Sequence, residues 1–258
     1  MNPVQTVTII FSLIATLQSN SRNITSDRID NFFTITGDNT LTKYDSTGKK
    51  MYLYDAYTYG KLQAVDASNP LQILGFYPDY FTIVIFDNTL SVINTLNLSQ
   101  SGISQVSAMC SSNDGYIWIW DAQEQKLKKL DNLLNVMRTS QDAITLLGQP
   151  VYPNFMEERN NFVYMNVPSI GVLVFDIYGT YGHTIPIKNL SNFQVINDKI
   201  YYTRNDSLNT YQLRTQATQS IALPDSGAIQ QVSIQQDRLF VLKKNQVVLY
   251  SISVKNDR

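Results

Sequence analysis

The chain has 258 residues, with 20 Lys and Arg against 21 Asp and Glu and a formal net charge of -1, enough length for one large domain with a substantial core. Without a basic excess to neutralise phosphates, nucleic-acid binding is excluded as a principal role. A single cysteine, Cys110, excludes a disulfide framework and a cysteine metal cluster, and is expected as a buried, inert thiol.

In chain order, the first feature is the apolar run "VTIIFSLIATL" (7–17), followed by small and polar "QSNS". It is too short for a membrane-spanning helix, and no later segment is long and apolar enough to cross a membrane. It fits the core of a signal peptide, with a leader over 1–20, cleavage around Leu17 to Ser21, and the folded domain over 25–258. The n-region "MNPVQT" lacks Lys and Arg, however, and a buried first strand is the alternative.

Past residue 30 a pattern repeats: two short apolar runs across a polar turn. It occurs in "NFFTITGDNTLTKYD" (31–45), "FTIVIFDNTLSVI" (81–93), "YIWIWDAQEQKLKKL" (116–130), "FVYMNVPSIGVLVFD" (162–176), "KIYYTRNDSLNTYQL" (199–213) and "RLFVLKKNQVVLYSI" (238–252). With Ile35, Val84, Trp118, Val163, Tyr201 and Phe240 as anchors, the steps are about 49, 34, 45, 38 and 39 residues. Only three Glu occur, while Asp, Asn, Ser and Thr abound beside sixteen Tyr and eleven Phe, a composition for strands and turns. A strand-only period near 40 predicts an all-β fold, a single β-propeller of about six blades (range five to seven) built from antiparallel hairpins. Strand 81–86 is apolar on both faces, unlike a sheet with one face in water; stacked blades would cover both. A β-sandwich would show cleaner alternation. Asp45, Asp87, Asp121 and Asp176 at strand ends are expected to cap the turns that follow. Within "KLKKLDNLLNVM", helical spacing predicts a strand to about Leu130, then one helical turn; the lysines of "KLKK" are expected to be solvated.

The residues that carry chemistry are few. His183, the only histidine, sits in "GTYGHTIP" and is expected on a surface loop; no nucleophile motif, calcium loop or phosphate-binding glycine loop occurs. Glu157 and Glu158 in "FMEERNN" are expected in a solvated turn, which leaves Asp30, Asp66 or Asp79 for any carboxylate pair. Neither an enzyme nor a bound cofactor or metal is expected. Tyrosine clusters in "MYLYDAYTYG" (51–60) and "IYGTYGH" (177–183) fit inter-blade packing or a protein-binding surface; Tyr57, Tyr59, Tyr178 and Tyr181 are the residues expected at a partner interface.

The stretch "LQAVDASNPLQILGFYPDYFTIVIFDNTLSVINTLNLS" (62–99) resembles a family of small exported Bacteroidota proteins. Val65, Asp66, Asn69, Pro70, Phe76, Tyr77, Asp87, Asn88 and Leu90 carry the resemblance, with "IWIWD" (117–121) and "QVINDKIYY" (194–202) following its rhythm. Members are similar to the Plug subunit of the type IX secretion translocon. The resemblance implies a non-enzymatic periplasmic propeller at the inner side of the outer membrane, sealing the mouth of a large β-barrel partner. "DST" (45–47) and "DSL" (206–208) resemble an O-glycosylation motif of such bacteria. Two other functions fit the sequence: a generic envelope scaffold that binds another outer-membrane protein, and a carboxylate-dependent enzyme acting on glycans.

Overall fold

The computed structural model describes residues 7–55, 57–224 and 227–256. Twenty-four strands among them form six four-stranded antiparallel sheets. The first strand, β1 (Val7–Gln18), is set aside for the end of the ring. Blade 1 is β2 (Ser21–Ser26), β3 (Phe32–Thr36), β4 (Leu41–Tyr44) and β5 (Lys50–Tyr54). Blade 2 is β6 (Ala64–Asp66), β7 (Ile73–Tyr77), β8 (Thr82–Phe86) and β9 (Val92–Asn97). Blade 3 is β10 (Val106–Ser111), β11 (Ile117–Asp121), β12 (Lys126–Leu130) and β13 (Val136–Thr139). A short helix, α1 (Ala143–Leu147), leads to blade 4: β14 (Phe155–Arg159), β15 (Phe162–Val167), β16 (Gly171–Asp176) and β17 (Tyr181–Ile185). Blade 5 is β18 (Gln194–Ile196), β19 (Lys199–Arg204), β20 (Ser207–Gln212) and β21 (Thr218–Ala222). Blade 6 takes β22 (Ile229–Gln235), β23 (Arg238–Lys243) and β24 (Gln246–Asn256), and β1 is its fourth strand. The fold is a six-bladed β-propeller.

The fold accounts for the doubly apolar β8. Ile83 and Ile85 pack with Ile117, Ile119 and Leu130 of blade 3. Val84 and Phe86 pack with Phe33, Ile35 and Leu41 of blade 1. Likewise Trp118 and Trp120 lie fully buried against Met156, Val163, Leu173 and Phe175 of blade 4. Each blade is thus a core layer between two others. Cys110 is buried in the same layer, and burial pushes its thiol well up from the ordinary value. The uneven sequence period has a simple cause. Five anchors lie on the second strand of their blade, whereas Val84 lies on the third, which lengthens the first step and shortens the next.

The position of β1 corrects one expectation. Residues 7–24 are not outside the propeller: β1 is the outer strand of blade 6 and β2 the inner strand of blade 1. Val7 lies opposite Asn256 and Gln18 opposite Gln246, with a bulge between Leu13 and Ala15. Phe11 packs edge-on against Tyr250, with ring centroids 6.5 Å apart, and Ala15 and Leu17 reach the cluster around Phe32 and Phe240. The apolar character of this run is therefore used in sheet packing. The segment "MNPVQT" lies outside the described residues.

The turns follow one chemistry. The Oδ1 atoms of Asp27, Asp45, Asp87, Asp131 and Asp176 each accept from the backbone N–H groups two and four residues on, at 2.8–3.0 Å. Asp121 does so two and three residues on. These are Asx-type turns, and the third residue after each of the five aspartates has a positive φ. Gly48 and Gly179 take it without strain, and Leu90 and Leu134 take it with their side chains in the core.

The Asp131 turn also explains why no helical turn follows Leu130. Its carboxylate captures the Leu133 and Asn135 N–H groups and folds the chain back into β13. The helix falls at α1 instead, capped by Asp142 Oδ1 on the Thr145 N–H at 2.8 Å and ended by Gly148. Two of the lysines in "KLKK" are likewise buried instead of solvated. Lys128 donates to Asp121 at 2.8 Å and Glu124 at 2.7 Å, and Lys129 pairs with Asp114 over the Trp118 ring.

Candidate functional site at the propeller axis

The six inner strands, β2, β6, β10, β14, β18 and β22, each have one ladder edge facing the axis, where backbone N–H groups need partners. Side chains of neighbouring inner strands supply them. Asp66 Oδ2 accepts from the Ser111 N–H at 2.7 Å, tying blade 2 to blade 3. Glu157 accepts from the Val195 N–H, tying blade 4 to blade 5. Gln194 Oε1 accepts from the Ile234 N–H at 2.7 Å, and Gln231 Oε1 accepts from the Ile24 N–H at 3.1 Å. Both glutamines also donate through Nε2, to Ile234 O and Ile24 O respectively. Residues 157, 194 and 231 are equally spaced in sequence. Glu158 completes blade 3 to blade 4: it accepts from Ser112 Oγ at 2.6 Å, the Asn113 N–H at 3.0 Å and Trp118 Nε1 at 2.6 Å. Arg22 links blade 1 to blade 2 by donating to Leu62 O. The result is a polar belt around the axis.

Glu157 and Glu158 therefore correct a second expectation. They lie on β14, not in a solvated turn, and both are buried. Burial raises the Glu157 carboxyl to about 7, outweighing the lowering by Arg159 and by the Val195 N–H. An axial cavity of about 240 Å³ lies among Glu157, Asp66, Arg22, Arg159 and Ser107; the Ser107 hydroxyl has no partner among the described residues. Chemically the belt offers one carboxyl able to hold a proton near neutrality. The neighbouring carboxylates of Glu158 and Asp66 are committed to donors, Asp66 Oδ1 taking the Ser68 N–H at 2.7 Å. No group of three or more His, Cys, Asp or Glu that could hold a metal occurs among the described residues.

The residues expected to matter are scattered. Asp30 lies in the β2–β3 turn, Asp66 lines the axial cavity, and Asp79 sits in a 3-10 turn accepting from the Lys61 N–H; they do not form a pair. His183 lies exposed on β17, opposite Val174, on a strand instead of a loop. Tyr57 and Tyr59 belong to the connection from blade 1 to blade 2, and Tyr178 and Tyr181 to blade 4. The structure does not bring these two pairs together. Tyr57 and Tyr178 are each 65% exposed. Tyr59 packs on Tyr77, and Tyr181 packs on Phe175 with its hydroxyl 2.8 Å from Thr184 Oγ1. Tyr59 and Tyr181 are half-buried against these partners, whereas Tyr57 and Tyr178 project from the surface. Asp66 apart, the residues of the belt were missed because burial on β14 depends on the neighbouring blades; the signal present in the sequence was the equal spacing of 157, 194 and 231.

No protein-family model and no curated protein sequence matches the chain. Solved structures match in fold. A streptogramin B lyase structure is 13% identical, with a TM-score of 0.62 over 96% of this chain and 98% of that one. BamB from Moraxella catarrhalis is 10% identical, with a TM-score of 0.57 over 94% and 98%. The Cps50 (Swd1) β-propeller domain of Myceliophteria thermophila is 8% identical, with a TM-score of 0.63 over 95% and 100%. Such diverse relatives of the fold define a propeller and no particular chemistry.

Proposed function

We propose that the protein is a non-enzymatic, partner-binding propeller of the bacterial envelope, which docks on the periplasmic mouth of a large outer-membrane secretion barrel and closes it. The observation that carries this reading is the tied axis. Side chains clip each blade to the next, and the cavity they leave is about 240 Å³. A wide barrel encloses a water-filled lumen, and a ring with an open bore would leak. A ring whose inner strands are tied to one another around so narrow a bore is suited to act as a stopper. The resemblance over residues 62–99 supports the choice of partner. The commitment of Asp66 and Glu158 to backbone and indole donors weighs against a carboxylate-pair hydrolase.

The test has two arms. Affinity purification from the native outer membrane should recover the barrel protein. Deleting the propeller while keeping the barrel should admit large hydrophilic antibiotics that are normally excluded, and deleting both should restore the barrier. Wild-type permeability in the single deletion, with the barrel present, would refute the plug; capture of other envelope proteins would then favour a scaffold.

A further inference from the structure

A second cavity, of about 410 Å³, lies beyond the first, and Arg159 and Gln194 line both. Its wall carries two guanidinium groups, Arg28 and Arg159, among the side chains of Asn113, Asn160 and Asn197. The Arg159 guanidinium makes no hydrogen bond or ion pair among the described residues, although its backbone pairs with Phe162. Arg28 donates once, from Nη2 to Asn113 Oδ1 at 3.2 Å. Its pKa is lowered by desolvation and then by the positive charge of Arg159, with Asp66 and Glu158 partly offsetting the two; the cations share a neighbourhood, and neither forms a direct ion pair among the described residues.

The carboxylates that face this pair are already engaged. Glu158 accepts three hydrogen bonds, and Asp66 accepts from the Ser68 and Ser111 N–H groups. Glu157 is turned to the Val195 N–H, and burial lets it keep its proton up to about pH 7. Two guanidinium groups with unspent donors therefore line one cavity at this end of the axis. Guanidinium groups pair with carboxylate and phosphate through parallel N–H donors.

We propose that this end of the axial channel is a binding site for an oxyanion, a carboxylate or phosphate group held between Arg28 and Arg159. The Asn197 side chain, which has no hydrogen-bond partner among the described residues, stands beside them as a further donor. The site does not depend on the plug reading.

The experiment uses the whole protein, titrated calorimetrically with inorganic phosphate and, separately, with citrate, against sodium chloride at equal ionic strength. At least one of the two anions should bind with saturation and raise the thermal midpoint, as any ligand of the native state does; chloride should do neither. A response to phosphate alone assigns a phosphate group, and a response to citrate alone a carboxylate. Arg159→Gln should weaken binding by about tenfold or more, since it removes a charge-assisted donor pair. Arg28→Gln should weaken it less, and Lys61→Gln, an exposed cation outside both cavities, should leave it unchanged. If Arg159→Gln does not fold, Arg28→Gln provides the comparison. No saturable binding of either anion, or equal binding by the arginine variants and wild type, overturns the proposal.

Discussion

Glu157 stands where Gln194 and Gln231 stand in the next two blades, and it makes the same contact with an N–H of the following inner strand. An amide fits that position without cost, whereas a carboxylate must lose its hydration there. The sign of the pH effect follows. In the unfolded chain the group ionises near its ordinary value of 4.5, and in the folded chain near 7. Between those values the folded state holds the extra proton, so stability is highest below the window, falls as pH rises through it, and carries the full penalty above it. Glu157→Gln should flatten that slope and stabilise the protein at about pH 8 by on the order of 3 kcal/mol, with the two proteins converging at about pH 4. Urea denaturation at a series of pH values measures this; a variant no more stable than wild type above neutrality refutes it. Trp118 presents the opposite case. Its ring is fully buried between blades 3 and 4, with Nε1 on Glu158. Trp118→Ala should cost about 3–5 kcal/mol, read as a lower denaturant midpoint.

Elements were legible where their pattern is local. The apolar hairpins from residue 31 onward and the Asp-ended strands declare themselves within a dozen residues, because strand alternation and Asx turns are short-range chemistry. The Asp131 turn could have been read as well, since "DNLLN" (131–135) repeats the form of "DNTLS" (87–91); helical spacing of leucines obscured it. What the sequence hid depends on distant neighbours. Lys128 and Lys129 look solvated until Asp121, Glu124 and Asp114 are brought to them. The axial belt exists only once six inner strands converge, and β1 finds its place only through β24. Residues 7–17 cannot be both a removed leader and the closing strand. The structure uses them as a strand, so mass spectrometry of protein from its native cell should find residues 7–18 retained. Deleting residues 1–20 should lower the thermal midpoint by several degrees, since it uncovers the β24 ladder edge and the cluster around Phe32 and Phe240. Recovery of a native chain that begins near residue 20, or an unchanged midpoint, would refute this use of β1.

At the scale of the molecule, the ring is held by layers between blades and a belt around the axis, and both arise from residues close in sequence to their partners, except at one seam. There β2 meets β22 and β1 pairs with β24. That seam sets a timetable for folding. Blades 1 to 5 can form as the chain leaves the ribosome, each on the one before it, because their contacts are between neighbours. The last junction must wait, since β1 has no strand to pair with until residues 246–256 have been made. Until then the chain has two open ends, each with an unpaired strand edge and an apolar face that invites another chain. Synthesis of the final strand is thus the event that turns an adhesive arc into an inert ring.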